Sequence, residues 1–552
     1  MDSRELLEQY VTNVDDDVFA IHNLHGMVGA VMARYSRAEG SLRETLLREF
    51  VKENQLNPRK AGKLIQRVLI AYGDDSVGEL EGAHLSFENI SMLATKVVEH
   101  RRIGGSPIEQ STRYIRYDFK DEATGYHYYT PEHFSEEDTL TYRRLMDSIF
   151  ENYSNMWQPL EAYLKECKPL EEAEYDLGDM GSTYAEMTTP KAKSAFERTW
   201  RNDLKTKTCD ILRAFLPLAA KANVGLFGNG RFFQHLISKM LSSHLPEAQK
   251  FGGKAHEELT KVIPHYVKRA KVMDYLVQNN RQMDALVARH FADLPPTGDG
   301  ISLIEPDHDF LAASVNSGSI TPDSLADAMR QEQNLNFLAS LVFAHARAPF
   351  SVIRDQIKQM PASVHQEIMD AYYGKRQTRR DRPERGIEFG YPYCFDLVTE
   401  WAVYKDLMRH RMGTIMIQPM APDMGFTMPE ELKEAGLDEL ARQTVGYAEE
   451  LYQFLADKYP NEREYAMLQG HKVRWFLGMN DRALMHMVEL RSAPQGHVNY
   501  RRAAQELHRL ALSRFPERAS RMNFVNYDDS YWARGDSEAR QRIKEAQLEN
   551  PS

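Results

Sequence analysis

Cysteine, long apolar runs and positive charge are all scarce in this chain, and each shortage excludes something. The 552 residues include three cysteines, Cys167, Cys209 and Cys394, far apart and never in a C-x-x-C pair. That excludes a disulfide scaffold and the usual zinc spacings, and it suits a reducing compartment. No stretch reaches the roughly 18 consecutive apolar residues that a membrane-spanning helix requires. The amino terminus, MDSRELLEQY, lacks the apolar core of a secretory signal, so the cytoplasm is the expected location. Lysine and arginine number 69 against 80 acidic residues, a net charge of −11. An acidic total disfavours nucleic acid as a partner while leaving local basic clusters free to hold a small anion. Catalytic signatures are missing too. There is no Gly-x-Ser-x-Gly and no His-Glu-x-x-His, and Gly225-x-x-Gly228-x-Gly230 has the wrong spacing for a phosphate loop. No metal site is expected.

What remains is an ordinary globular composition, 42% apolar and 27% charged, long enough for three or four domains at about 150 residues each. Residues 41–53, 139–165 and 438–457 carry the three-to-four-residue apolar spacing of helices. Thr321-Pro322-Asp323 marks a helix start: a hydroxyl to cap, a proline for the first turn, an acid beside the positive helix end. Ala83–Phe87 and Tyr391–Leu397 read as strands. The turn-rich stretch 295–319 is the expected linker between an amino-terminal domain, 1–294, and a carboxy-terminal one, 320–552.

The near-equal parts share an ordered repeat. Helix-like runs Asn89–Arg102 and Asp396–Arg411 each end in His-Arg; Asn229-Gly230-Arg231 with His235, and Asn480-Asp481-Arg482 with His486, follow. His100 and Asn229 are 129 residues apart, His410 and Asn480 only 70, which places an insertion within 119–200. That stretch is acidic and tyrosine-rich, with no recognisable chemistry. Arg101 and Arg411 end apolar helix faces, where an unpaired charge is costly and a guanidinium can grip phosphate oxygens. Snorkelling or helix-end pairing is the plainer account. After the first His-Arg comes a loop, Ser106 to Tyr114, in which Glu109, Ser111 and Arg113 suit a nucleotide, or form only a surface pair. Arg482 and His486 share a helix face, with Arg491 almost opposite.

Together these residues resemble the flavin-dependent thymidylate synthase family. Its hallmark is Arg-His-Arg, then seven residues and Ser, overlapped by Glu-x-Ser-x-Arg-Tyr. The first half has Glu109-Gln110-Ser111-x-Arg113-Tyr114, Arg213-Ala214-Phe215-Leu216-Pro217 and Asn229-x-Arg231. The second has Arg409-His410-Arg411 and Asn480-x-Arg482-x3-His486-x3-Leu490-Arg491. The departures are complementary. The first half reads Glu99-His100-Arg101 with a loop two residues longer than the family's, Gly73-Asp74 for Gly-His, and Lys239-Met240 for the final Leu-Arg. The second has Pro419 at the hallmark Ser, lacks the Glu-x-Ser-x-Arg-Tyr loop, and has Glu464 where the first has Arg213.

The resemblance implies a helix-rich α/β (α+β) fold in two tandem copies, each a small sheet with a helical layer. It implies reductive methylation of dUMP to dTMP, with methylenetetrahydrofolate as carbon donor, FAD as hydride donor and NADPH to reload the flavin. Glu109, Ser111, Arg113, Arg213 and Arg491 are then expected around dUMP. Glu81, Arg409, His410, Arg411, Asn480, Arg482 and His486 are expected around FAD, with Glu109 and His410 the candidates for moving a proton. Because family members resemble homotetramers with shared sites, two fused chains would make a homodimer shaped as a pseudo-tetramer. A relative acting on another pyrimidine nucleotide, and a non-catalytic nucleotide- or RNA-binding protein, are the alternatives.

Overall fold

A computed structural model describes residues 3–540 apart from 18, 37, 39–40, 53–54, 72–74, 101–102, 123–124, 176–181, 306–307, 533–534 and 538. Gly73, Asp74 and Arg101 therefore lie outside the described residues. The chain forms two compact units: residues 1–110 with 222–274, and residues 111–221 with 275–552. Among the described residues no helix is long and apolar enough to cross a membrane.

Both units follow one plan, helices around a small sheet. In the first, strand Lys221–Asn229 lies between Gly82–Ser91 and the edge strand Gly105–Glu109. In the second, the antiparallel order is Thr414–Ile417, Lys472–Met479, Tyr393–Glu400, Gly300–Leu303. Strands Gly82–Ser91 and Tyr393–Glu400 each run straight into a short helix, Met92–Glu99 and Trp401–Leu407. Each central strand runs into a helix, Gly230–Leu241 or Asp481–Arg491, capped by its asparagine. Asn229 accepts from the Phe232 N–H (2.8 Å) and Asn480 from the Ala483 N–H (3.0 Å). The repeated Asn is thus a helix cap, a device worth about 1 kcal/mol.

Several sequence-based expectations need correction. The helix-like runs are shorter than their spacing suggests, since Asn89–Ser91 and Asp396–Glu400 are still strand. There, sheet pairing and burial win over helical periodicity. The loop after the first His-Arg contains strand Gly105–Glu109, with Pro107 tolerated because the strand is at an edge. The 41–53 run is helical only from Leu42, passes through a wider π-helical turn, Leu46–Phe50, and ends in strand Val51–Lys52. Helix Pro322–Phe343 does begin at a Thr321 capping box with Pro322 in its first turn. Within 295–319, Gly300–Leu303 pairs with Tyr393–Glu400.

The second unit brings matching pieces of the two repeats together. With Asn229 aligned on Asn480, segment 213–220 corresponds to 464–471, and the two run antiparallel about a Pro217–Leu468 bridge. Leu218 N–H donates to Met467 O (2.8 Å), and Gln469 N–H to Leu216 O (3.0 Å). Ala219 N–H donates to Tyr465 O (3.2 Å), and Gly470 N–H to Ala214 O (2.8 Å). Each bond has its mate across the bridge, the signature of a local two-fold. The insertion's 32-residue helix, Glu136–Cys167, lies against Asp438–Lys458, with Ile149 and Ala448 buried between them.

Candidate functional site

In the second unit, charged side chains converge from five elements around the ends of the sheet and its helices. Arg113 sits in the turn after Ser111, whose hydroxyl accepts the Arg113 N–H (3.2 Å). Its guanidinium forks onto Asp210, Nε to Oδ1 and Nη2 to Oδ2, both 2.6 Å. Bidentate, charge-assisted pairs of this kind are among the stronger hydrogen bonds. Burial opposes the charge on both groups, yet each outweighs it for the other: Arg113 is held more firmly protonated and Asp210 below the usual carboxylate range.

Three residues on, Arg213 closes helix Pro190–Leu212 and is 1% exposed. Its Nη1 donates to Asp406 Oδ2 (3.0 Å), and its Nη2 stands 4.0 Å from Glu400 Oε1. Among the described residues, Nε and Nη2 have no hydrogen-bond partner. Leaving a buried donor unmatched costs about 1–3 kcal/mol. Burial raises Asp406, but Arg213 and Lys405 more than reverse it, holding the carboxylate well below its usual range. For Glu400 burial wins, pushing the carboxyl up to about 7 despite Arg213 and a 2.9 Å hydrogen bond from Asn499.

His497 caps the next helix, Val498–Arg514, by accepting the Asn499 N–H at Nδ1 (3.2 Å). Its proton is therefore on Nε2, facing Asp210 O at 3.2 Å. Burial and the neighbouring Arg213 push it down to about 3. Tyr500, one turn along, has the Arg113 guanidinium 5.6 Å and the Arg491 guanidinium 5.5 Å from its ring centre. Arg113 Nη1 also donates to the Tyr500 hydroxyl (3.1 Å).

His410 accepts from Arg491 Nε at Nε2 (2.8 Å), which leaves its proton on Nδ1. Burial first, then Arg491 and His486, push it down to about 3. It is a neutral ring at physiological pH, and any proton it moves must pass through Nδ1. The His486 ring is 5.5 Å away. Arg409, Arg411, Arg482 and His486 are exposed, and the Asn480 carbonyl is committed to its helix cap.

Two expected site residues lie in the first unit. Glu109 is buried and ion-paired with Lys96 (3.1 Å), which also holds Glu99 (2.6 Å). Glu81 is buried and accepts from Gly29 N–H (3.4 Å), with burial raising its carboxyl. Ser111, Arg113, Arg213, His410 and Arg491 all belong to the second unit. The sequence reading missed Asp210, Glu400, Asp406, His497, Asn499 and Tyr500. One signal was available: Lys405-Asp406 interrupts an otherwise apolar stretch from Trp401 to Met408. Among the described residues, no group of three or more His, Cys, Asp or Glu is placed to hold a metal.

A family model described as "Thymidylate synthase complementing protein" matches the chain twice, over residues 26–265 and 329–517. A "UPF0159 protein" of Chlamydia muridarum (strain MoPn / Nigg) is 30% identical, with 98% of each chain covered. Another, of Chlamydia pneumoniae, is 32% identical over 95% of each. A third, of Thermoplasma acidophilum, is 27% identical over 94% of this chain and 98% of the relative.

Proposed function

Because the chain belongs to the thymidylate synthase complementing protein family, in two copies, we propose that it is a flavin-dependent thymidylate synthase. It converts dUMP to dTMP with methylenetetrahydrofolate, FAD and NADPH, at a composite site built from both repeats. The observation that carries the reading is Arg213: a guanidinium 1% exposed, with two donors unmatched, beside the Arg113–Tyr500–Arg491 group. In this reading Ser111, Arg113, Arg213 and Arg491, all of the second unit, orient the nucleotide.

Arg409, Arg411, Arg482 and His486 fit the diphosphate of FAD in kind, being exposed cations and an imidazole next to His410. His410 and Asn480 fit it as supports, since Arg491 and the helix cap already occupy their acceptors. Bound FAD supplies hydride chemistry; the chain's own part is positioning and charge. Glu400, poised to exchange a proton near neutral pH, joins Glu109 as a candidate proton carrier. Two chains would pair as a homodimer, which mass measurement in solution checks.

The second reading is a flavoenzyme acting on another pyrimidine nucleotide. Anaerobic incubation with dUMP, methylenetetrahydrofolate and NADPH decides: dTMP supports the first reading. A yellow, FAD-bearing protein that makes none supports the second, and a colourless protein that binds nucleotide without turnover sinks both.

A further inference from the structure

We propose that His410 and Tyr500 are positioning residues, which aim the guanidinium of Arg491 at a nucleotide phosphate and hold Arg113 beside it. The proposal rests on the dUMP reading above and adds which groups set the geometry.

Three observations carry it. First, Arg491 gives Nε to His410 Nε2 at 2.8 Å. This fixes the plane of the guanidinium and leaves its two terminal amino groups for a ligand. An arginine at a helix end otherwise has several rotatable bonds to settle, and holding it in place removes that entropy cost on binding. Second, Tyr500 is 7% exposed and presents one ring to two cations, Arg491 and Arg113, while its hydroxyl accepts from Arg113. Two like charges near one ring repel, and Asp210 offsets that by neutralising Arg113 on its far side.

Third, the first unit makes the same coupling with other parts. His100 Nδ1 lies 2.8 Å from Lys239 Nζ. Lys239 stands one place before Met240, the residue aligned with Arg491. The contact between the post-helix imidazole and the cation near the end of the Asn-capped helix thus occurs in both repeats, although the cation differs in type and position. Only the second repeat combines it with a tyrosine bearing two arginines.

The test uses the full chain. In the wild type, nitrogen-15 NMR of His410 is expected to show Nδ1 protonated and Nε2 bare between pH 5 and 8. His410→Leu and Tyr500→Leu are each expected to raise the dUMP Kd about tenfold. His410→Gln, which keeps an acceptor for Arg491, is expected to return it to within about threefold. For Tyr500→Leu, which alters no group proposed to hold the flavin or move a proton, KM for dUMP should move more than kcat. Circular dichroism verifies the fold of each variant. An Nε2-protonated His410 in the wild type overturns the proposal, as does unchanged dUMP affinity in both leucine variants while Arg491→Ala loses it. If Arg491→Ala itself binds dUMP normally, the substrate reading fails instead, and the His410 spectrum still decides the coupling.

Discussion

The second unit seals its sheet on both faces, whereas the first leaves one face to water. Phe476, on the central strand of the second sheet, is fully buried against Phe343, Phe350 and Met416. On the first sheet the matching strand exposes Phe227 (49%), and the edge strand exposes Ile108 (75%). The charges differ in the same direction. Lys96 matches Glu109 and Glu79 matches Arg231 in the first unit, while Arg213 in the second is buried with donors to spare. At the local two-fold, Arg213 is mirrored by Glu464, whose carboxylate is used on the Met420 N–H (2.9 Å). Duplication copied strands and helix caps; the chemistry follows from where burial left polar groups unmatched.

The largest test of that contrast replaces the mirrored pair. Arg213→Ala removes the buried guanidinium hydrogen-bonded to Asp406 and should cost about 3–5 kcal/mol in denaturant unfolding, along with dUMP binding. Glu464→Ala removes one hydrogen bond from a half-buried site and should cost about 1 kcal/mol. Equal losses would mean that the two-fold mates are equivalent.

Next comes pH. The Glu400 carboxyl sits near 7 in the folded chain against 4.5 for the free group. Its contribution to stability is complete below about pH 4.5 and fades as pH rises through 7, by at most about 3 kcal/mol. His410 and His497, held near 3, act oppositely: their contribution is present above about 6.5 and is lost as pH falls. Glu400→Gln removes the Glu400 decline and should make stability rise more steeply between pH 5 and 7 in stability–pH curves. An unaltered slope would remove Glu400 from the account.

The smallest effect is the one expected to be the same in both units. Asn229→Ala and Asn480→Ala should each cost about 1 kcal/mol, read as a lowered Tm. A loss confined to Asn480 would mean that the two caps are not equivalent.

Local chemistry was legible in the sequence. The Thr321 cap, the strands around Ala83–Phe87 and Tyr391–Leu397, and the repeat itself rest on short-range patterns that the fold keeps. Where a strand passes directly into a helix, as at Ser91 and Glu400, the apolar spacing of the helix blurs the join. Pairing across the chain was not legible. Nothing near Pro217 indicates that it meets Leu468, and Asp210, Glu400 and Asp406 look like surface acids until the helices close over them. Tyr500 is one of 27 tyrosines; only the two arginines around it single it out.

The central claim is one composite nucleotide site, drawing on both repeats. Calorimetric titration of the full chain with dUMP tests it most directly, alongside Arg113→Ala and Arg491→Ala. The account predicts one dUMP per chain, with affinity lost in either variant although one arginine comes from each repeat. Two dUMP per chain, or full affinity in either variant, would contradict it.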